Sequence, residues 1–233
     1  MEKKKNNEHL SRRDFLRNVA LGTGATLLFS NFSLVTWHID EKGILKGIVV
    51  DYDKCTGCRT CATACSASNH RVLIDGEEVP GLGNPWLANI RVHRFNPDVD
   101  VPNVCQMCPD APCIAACPVE PDPGTGRKAL YRDEEQHTIK CDTDRCIGCS
   151  SCAITCATER AGVIIPNPET GSPERMCTLC NGDPQCVKAC PYGALSLVEV
   201  DTKREFYGMS PHEIASELMK KYYKTGQEEV SHG

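Results

Sequence analysis

The sequence predicts a loop-rich α+β fold in which two small modules nest one inside the other and a helix closes the C-terminus. Three observations predict it. Sixteen of the 17 cysteines fall into four quartets, short β-forming segments flank the quartets in an informative order, and a helix-capping signature begins at Ser210. The 40% hydrophobic content of the 233 residues counts those thiols, and aromatic residues are only 6%, so little oil is left for two cores. Metal-thiolate bonds are the obvious substitute, because ligand binding then carries folding free energy.

The quartets are Cys55, Cys58, Cys61, Cys65; Cys105, Cys108, Cys113, Cys117; Cys146, Cys149, Cys152, Cys156; and Cys177, Cys180, Cys186, Cys190. The first and third read C-x2-C-x2-C-x3-C. With that spacing three thiolates on one tight loop grip three irons of a cubane, while the fourth points away to a second cluster. The second and fourth read C-x2-C-x4-C-x3-C-P and C-x2-C-x5-C-x3-C-P, the same grip with a longer middle loop, closed by Pro118 and Pro191. Sixteen thiolates are enough for four [4Fe-4S] clusters. Disulfide frameworks scatter their cysteines instead of repeating such quartets. Zinc knuckles set paired C-x2-C motifs apart by a longer spacer. Cys141 is left over, a spare or buried thiol with a substitute ligand as the other reading.

Taken in order, residues 1–36 read as an address and not as part of the fold. Ser11 to Arg17 spell S-R-R-x-F-L-R, which closely resembles the twin-arginine export signal, with Lys3, Lys4 and Lys5 before it and a moderately apolar stretch from Val19 to Val35 after it. That stretch is shorter and wetter than the roughly 20 apolar residues of a bilayer span. Clusters are inserted in a reducing cytoplasm, so a route that accepts folded cargo suits them and places the protein in the periplasm or on the outer face of the cytoplasmic membrane. No A-x-A site precedes Trp37, and cleavage and retention both stay open.

Gly47 to Asp51 forms a β-rich run into the first quartet, and Ala194 to Val198 runs out of the last. Lys128 to Tyr131 leaves the second quartet and Thr138 to Lys140 enters the third, a hairpin between them. A bacterial two-cluster ferredoxin has this order: a strand into its first motif, a hairpin, a strand out of its second. The expected fold is therefore two nested bacterial-ferredoxin-like modules, the outer one from residues 45–66 and 177–200, the inner one from 103–157. The connecting insert 67–102 carries one strand, Ile90 to Phe95, and reads as a partner surface or as cover for the clusters. In the tail 201–233, Ser210-Pro211-His212-Glu213 has capping-box spacing with proline at the first helical position. Ile214, Leu218, Met219 and Tyr222 then share a face, which packs either on the chain's own modules or on a catalytic subunit.

Other chemistries find little support. No histidine lies in a quartet in the pattern of a Rieske centre, so His70, His93 and His137 read as surface or packing residues. Gly124 to Lys128 lacks the G-x4-G-K-[ST] of a phosphate loop. A net charge of −5 without a basic patch argues against nucleic acid.

The four quartets, in this order, resemble the iron-sulfur subunits of the dimethyl sulfoxide reductase family over roughly residues 45–200. The resemblance implies cross-ligation: Cys55, Cys58 and Cys61 with Cys190; Cys177, Cys180 and Cys186 with Cys65; Cys105, Cys108 and Cys113 with Cys156; Cys146, Cys149 and Cys152 with Cys117. It also implies a non-catalytic subunit that relays electrons between a molybdopterin or tungstopterin oxidoreductase subunit and a quinone-linked membrane protein or soluble carrier. The short loop from Asn181 to Gln185 makes the fourth motif more similar to polyferredoxin subunits of tungsten enzymes of the aldehyde ferredoxin oxidoreductase type. Ser66 and Ala157 stand where proline follows the last cysteine of the other two motifs, a loss that costs only stiffness. A free-standing periplasmic polyferredoxin is the alternative. An enzyme with substrate at one cluster is a third reading, and four complete quartets leave it no open iron.

Overall fold

Among the described residues the first strand pairs with the last, all four cysteine quartets lie between them, and a helix follows. The computed structural model describes residues 44–223 apart from Leu82 and Pro97, so the twin-arginine segment lies outside the described residues. In chain order the elements are β1 (Lys46–Val50), α1 (Thr60–Asn69), β2 (Arg71–Ile74), β3 (Glu77–Pro80), β4 (Arg91–Phe95), β5 (Val99–Asn103), α2 (Pro112–Ala115), β6 (Leu130–Arg132), β7 (Ile139–Cys141), α3 (Ser151–Glu159), β8 (Ile165–Pro166), β9 (Pro173–Glu174), α4 (Gln185–Lys188), β10 (Leu195–Glu199) and α5 (Pro211–Tyr223). Short 3₁₀ turns cover Pro85–Leu87 and Leu179–Gly182. The architecture is a mixture of short helices and small sheets, rich in loops, with a C-terminal helix.

Among the described residues every sheet is a two-stranded antiparallel ladder. β1 pairs with β10, Lys46 opposite Glu199 and Val50 opposite Leu195. β6 pairs with β7, Leu130 opposite Cys141. These strands lie where the sequence puts them beside the quartets, with ends displaced by a residue or two.

The insert departs from expectation. In place of one strand it holds two hairpins, β2–β3 and β4–β5. The first turns at Asp75-Gly76, both with positive φ (52° and 84°), the backbone a tight hairpin with right-handed twist requires. The second runs through Pro102, which a two-stranded ladder tolerates because each strand has a free edge.

Three groups of buried side chains hold these pieces. Ile48, Ile90, Val104, Met107, Leu179 and Leu195 pack with Cys61, Cys65, Cys177 and Cys186. Leu130, Ile139, Ala153, Val163 and Ile164 pack with Cys152 and Cys156. Val99 and Val101 of β5 receive Ile214, Ala215 and Leu218 of α5. Thiols are thus part of the first two cores, as a chain poor in aliphatic side chains demands.

The C-terminal helix therefore packs on its own chain. Its capping box forms in both directions: Glu213 N–H donates to Ser210 Oγ at 3.3 Å and Ser210 N–H to Glu213 Oε2 at 2.7 Å. Tyr222 is not in the buried stripe. It is exposed, because the last turn reaches past β5 to Asp53, whose carboxylate accepts from the Tyr222 hydroxyl at 3.0 Å and from Lys221 Nζ at 2.7 Å. Among the described residues no helix is long and apolar enough to cross a membrane. Leu218 is 1% exposed. Leu218→Ala is expected to cost about 2–5 kcal/mol of the docking of α5. Hydrogen exchange should quicken across residues 211–223 while β1–β10 stays protected.

Candidate metal centre

Each quartet begins with a loop bent by one left-handed residue. The residue before the second cysteine has positive φ in all four: Gly57 (66°), Met107 (52°), Gly148 (65°) and Leu179 (50°). The bend turns that residue's N–H back toward the first thiol. Leu179 N–H donates to Cys177 Sγ at 3.4 Å, and the Gly57 and Met107 amides face Cys55 and Cys105. Glycine is needed in two of the loops. A Cβ on Gly57 would stand 2.2 Å from the Asp100 side chain, and one on Gly148 would stand 2.3 Å from the Thr170 carbonyl oxygen. Met107 and Leu179 accept a strain of about 1–2 kcal/mol. Their side chains, 1% and 5% exposed, recover about 1.5–3 kcal/mol each by burial.

Helices carry the remaining cysteines of the first and third quartets. Left-handed Arg59 and Ser150 launch α1 and α3, so Cys61 and Cys65, and likewise Cys152 and Cys156, sit four residues apart on one buried helix face. One turn separates them by about 6 Å along the axis. Beside the exposed second cysteines stand hydroxyls, Thr60 Oγ1 at 3.4 Å from Cys58 Sγ and Ser151 Oγ at 3.4 Å from Cys149 Sγ.

All seventeen cysteines are free, and sixteen of them gather in four places. One cavity is lined by Cys55, Cys58, Cys61 and Cys190. A second is lined by Cys105, Cys108, Cys113 and Cys156. A third is lined by Cys117, Cys146, Cys149 and Cys152, with Cys141 as a fifth thiol. In the fourth place Cys65, Cys177, Cys180 and Cys186 face one another, with Asn69 Nδ2 3.5 Å from Cys180 Sγ and 3.7 Å from Cys65 Sγ. In every gathering the last cysteine of one quartet joins the first three of its partner.

Electrostatics make these places uncomfortable for bare thiolates. Burial pushes Cys61, Cys113 and Cys186 up to about 12 and Cys105 to about 11, with neighbouring thiols adding to the rise. Cys58 and Cys149 move the other way, lowered by the hydroxyls and amides of Thr60 and Ser151. A metal among the thiols removes the conflict, since a coordinating thiol is deprotonated outright. Backbone donors already aim at sulfur: Asn89 N–H at Cys65 Sγ and Ala194 N–H at Cys190 Sγ, each 3.3 Å. Among the described residues no three His, Cys, Asp or Glu side chains close on a single-ion position. A cluster takes one thiolate per iron and so needs them further apart. The residues present fit an iron-sulfur cluster.

Several polar groups around the gatherings have no motif of their own. Asn69 and Asn89 face the Cys65 place, and Asp100 faces Cys55. Arg160 lines the Cys108 cavity, and the Tyr207 hydroxyl faces Cys108. Arg160 lies one helical turn after Cys156, a spacing that could have flagged it; Tyr207 comes from the tail without any sequence signal. His70, His93 and His137 line none of the three cysteine-lined cavities, and the Gly124 to Lys128 segment is a loop capped by Asp122.

Known proteins share this pattern. Residues 46–67 match the 4Fe-4S binding domain family. NrfC of Escherichia coli (strain K12) is 30% identical over 82% of this chain and 81% of its own length. The ferredoxin-like protein YdhX of the same organism is 34% identical over 77% of each. The polyferredoxin-like subunit of aliphatic sulfonate oxidoreductase from Pyrococcus furiosus is 28% identical over 76% of this chain and 92% of its own. The chain belongs to the NrfC-like family of ferredoxin-like 4Fe-4S electron-transfer proteins. In such a protein the bends before the second cysteines are expected to matter for iron. Gly148→Ala drives a Cβ onto the Thr170 carbonyl, whereas Gly126, also at positive φ (67°), has nothing within 4 Å. Gly148→Ala should purify with less iron than wild type and Gly126→Ala with the full complement, as counted colorimetrically after anaerobic purification.

Proposed function

We propose that this ferredoxin-like chain carries four [4Fe-4S] clusters in two nested modules and serves as the non-catalytic electron-transfer subunit of an oxidoreductase complex. The observation that carries the reading is the exchange of fourth cysteines. Cys190 lies with Cys55, Cys58 and Cys61, and Cys65 lies with Cys177, Cys180 and Cys186. Cys156 lies with the first three cysteines of the second quartet and Cys117 with those of the third. The ladders β1–β10 and β6–β7 support an outer and an inner module.

Each cluster, when bound, takes up and returns one electron. The chain's own contribution is spacing and insulation. Cys61 and Cys65 on α1 set two neighbouring sites one helical turn apart, and Cys152 and Cys156 on α3 do the same in the inner module. Between modules the Cys177 N–H faces the Cys105 thiol. The sites therefore line up in the order Cys55/58/61/190, Cys65/177/180/186, Cys105/108/113/156 and Cys117/146/149/152. Ile48, Met107, Leu179 and Leu195 pack around the first part of that line and Leu130, Ile139 and Val163 around the last, while Cys58 and Cys149 stay exposed at its two ends.

The partner is a proposal from resemblance. A relative that is named as a subunit of an oxidoreductase, together with the short Asn181–Gln185 loop, supports a molybdopterin or tungstopterin catalytic subunit at one end. A quinone-linked membrane protein or a soluble carrier would stand at the other. The S-R-R-x-F-L-R motif supports export by the twin-arginine route to the periplasm or the outer face of the membrane.

Anaerobic purification of the full chain is expected to yield about sixteen irons and a stoichiometric large partner. Cys190→Ser should lose about four of them, and Cys141→Ser none. A wild-type count near eight would sink the four-cluster reading, and a pure chain without a partner would favour a diffusible carrier. Removing iron by chelation is expected to abolish cooperative unfolding, because the thiols that fill both cores lose their bonds. A fully folded apoprotein by circular dichroism would contradict this.

A further inference from the structure

The place formed by Cys105, Cys108, Cys113 and Cys156 has a guanidinium at its edge. Arg160 lines the cavity. One of its terminal nitrogens pairs with Asp110 and the other donates to Glu159 O at 2.7 Å, but its Nε is buried without a partner. The guanidinium itself faces the Cys108 thiol, so its charge is directed at the sulfur and not at solvent. The tail closes over the same spot. Gly208 N–H donates to Gln106 Oε1 at 2.6 Å, which sets Tyr207 against Cys108, and a Cβ on Gly208 would lie 3.8 Å from Arg160 Cδ. Arg132 reaches Cys108 from its backbone side by donating to its carbonyl.

The other places are furnished differently. At Cys55 the facing charge is Asp100, met by Arg94 Nε at 3.6 Å, while Arg59 in the same loop is exposed to screening water. Neutral amides of Asn69 and Asn89 face Cys65 and Cys180. Lys128 Nζ grips the carbonyl oxygen of Cys117 at 2.7 Å and not its thiol.

We infer that Arg160, held by Asp110 and covered by Tyr207, is a positioning residue that raises the reduction potential of the cluster at Cys105/108/113/156 above that of the cluster at Cys55/58/61/190, where Asp100 acts in the opposite sense. Reduction adds one negative charge to a site. A cation and hydrogen bonds to sulfur stabilise that charge, and a carboxylate opposes it. Asp110 offsets Arg160 only in part, because its side chain is 57% exposed and its charge is shared with water. An electron that enters at the Cys55 end thus runs downhill into the inner module. The inference rests on the four-cluster reading above.

Potentiometric titration of the loaded full chain, followed by paramagnetic resonance, tests it. Arg160→Gln is expected to shift one cluster's equilibrium roughly tenfold toward the oxidised form, about 59 mV for one electron. Arg160→Lys should keep most of the wild-type value, Tyr207→Phe should move the same cluster less, and Asp100→Asn should raise a different one. The signal that moves must be the one Cys108→Ser alters. Unchanged potentials in a fully loaded Arg160→Gln chain overturn the inference, as does an equal shift in Arg160→Lys. If Arg160→Gln loses iron, Tyr207→Phe decides: a lowered potential supports the tuning role and an unmoved one overturns it. A wild-type chain with fewer than four clusters defeats the reading beneath, whereas four clusters with unmoved potentials defeat the tuning alone.

Discussion

The pairing of residues 46–50 with residues 195–199 closes a loop that contains every cysteine of the chain. Closing a loop of that length costs about 4 kcal/mol in chain entropy beyond a constant. A two-stranded ladder is marginal at best in water and cannot meet that cost alone. Beside it stand Cys190 with Cys55 and Cys61, and Cys65 with Cys180 and Cys186, each pair joining the two ends of the loop. Left as thiols these groups only fill space, and ionised they repel one another. Bonded to iron they become cross-links, and a metal clip across a long loop gains more than one across a short loop. On the proposed ligand set, a bound cluster would therefore help to close the chain.

The β6–β7 ladder meets a smaller cost of the same kind. β6 and β7 are neighbours in sequence, so their pairing needs no long closure, and Leu130 and Ile139 pack directly onto Ala153 and Cys156 of α3. Pairing of neighbouring strands carries a smaller closure cost than the β1–β10 ladder. The hairpin and its flanking quartets can form from local contacts, and the outer ladder then has a surface to close on.

Much of this was legible because cysteine spacing is a constraint on bonds and not on propensity. The quartets, the strands beside them and the capping box at Ser210 all announce themselves. The hairpin at Asp75-Gly76 was also announced, by the dipeptide itself, but the surrounding Gly76, Pro80, Gly81 and Pro85 read as loop and hid it. Val99 to Asn103 was obscured by Pro102, and its burial against Ile214 and Leu218 is a tertiary fact that no local pattern carries. Tyr222 was placed on the buried stripe by periodicity alone, and the Asp53 carboxylate at the far end of the chain pulled it outward. Arg160 and Tyr207 were invisible as a pair because the tail meets the second quartet only after both cores exist.

Insert and tail tie together segments that lie far apart in the chain. Asn103 Nδ2 donates to Ala161 O at 2.8 Å and Arg91 to Val163 O at 3.2 Å, tying β4 and β5 to the chain just after α3. α5 then packs on β5, and Gly208 reaches back to Gln106. Each of these bonds joins a segment that belongs to neither quartet of the module it touches. Electron transfer between sites depends steeply on distance, so a device that fixes the separation of Cys105 from Cys177 matters more than one that merely adds stability. The insert and the tail, which carry no cysteine, supply that fixation.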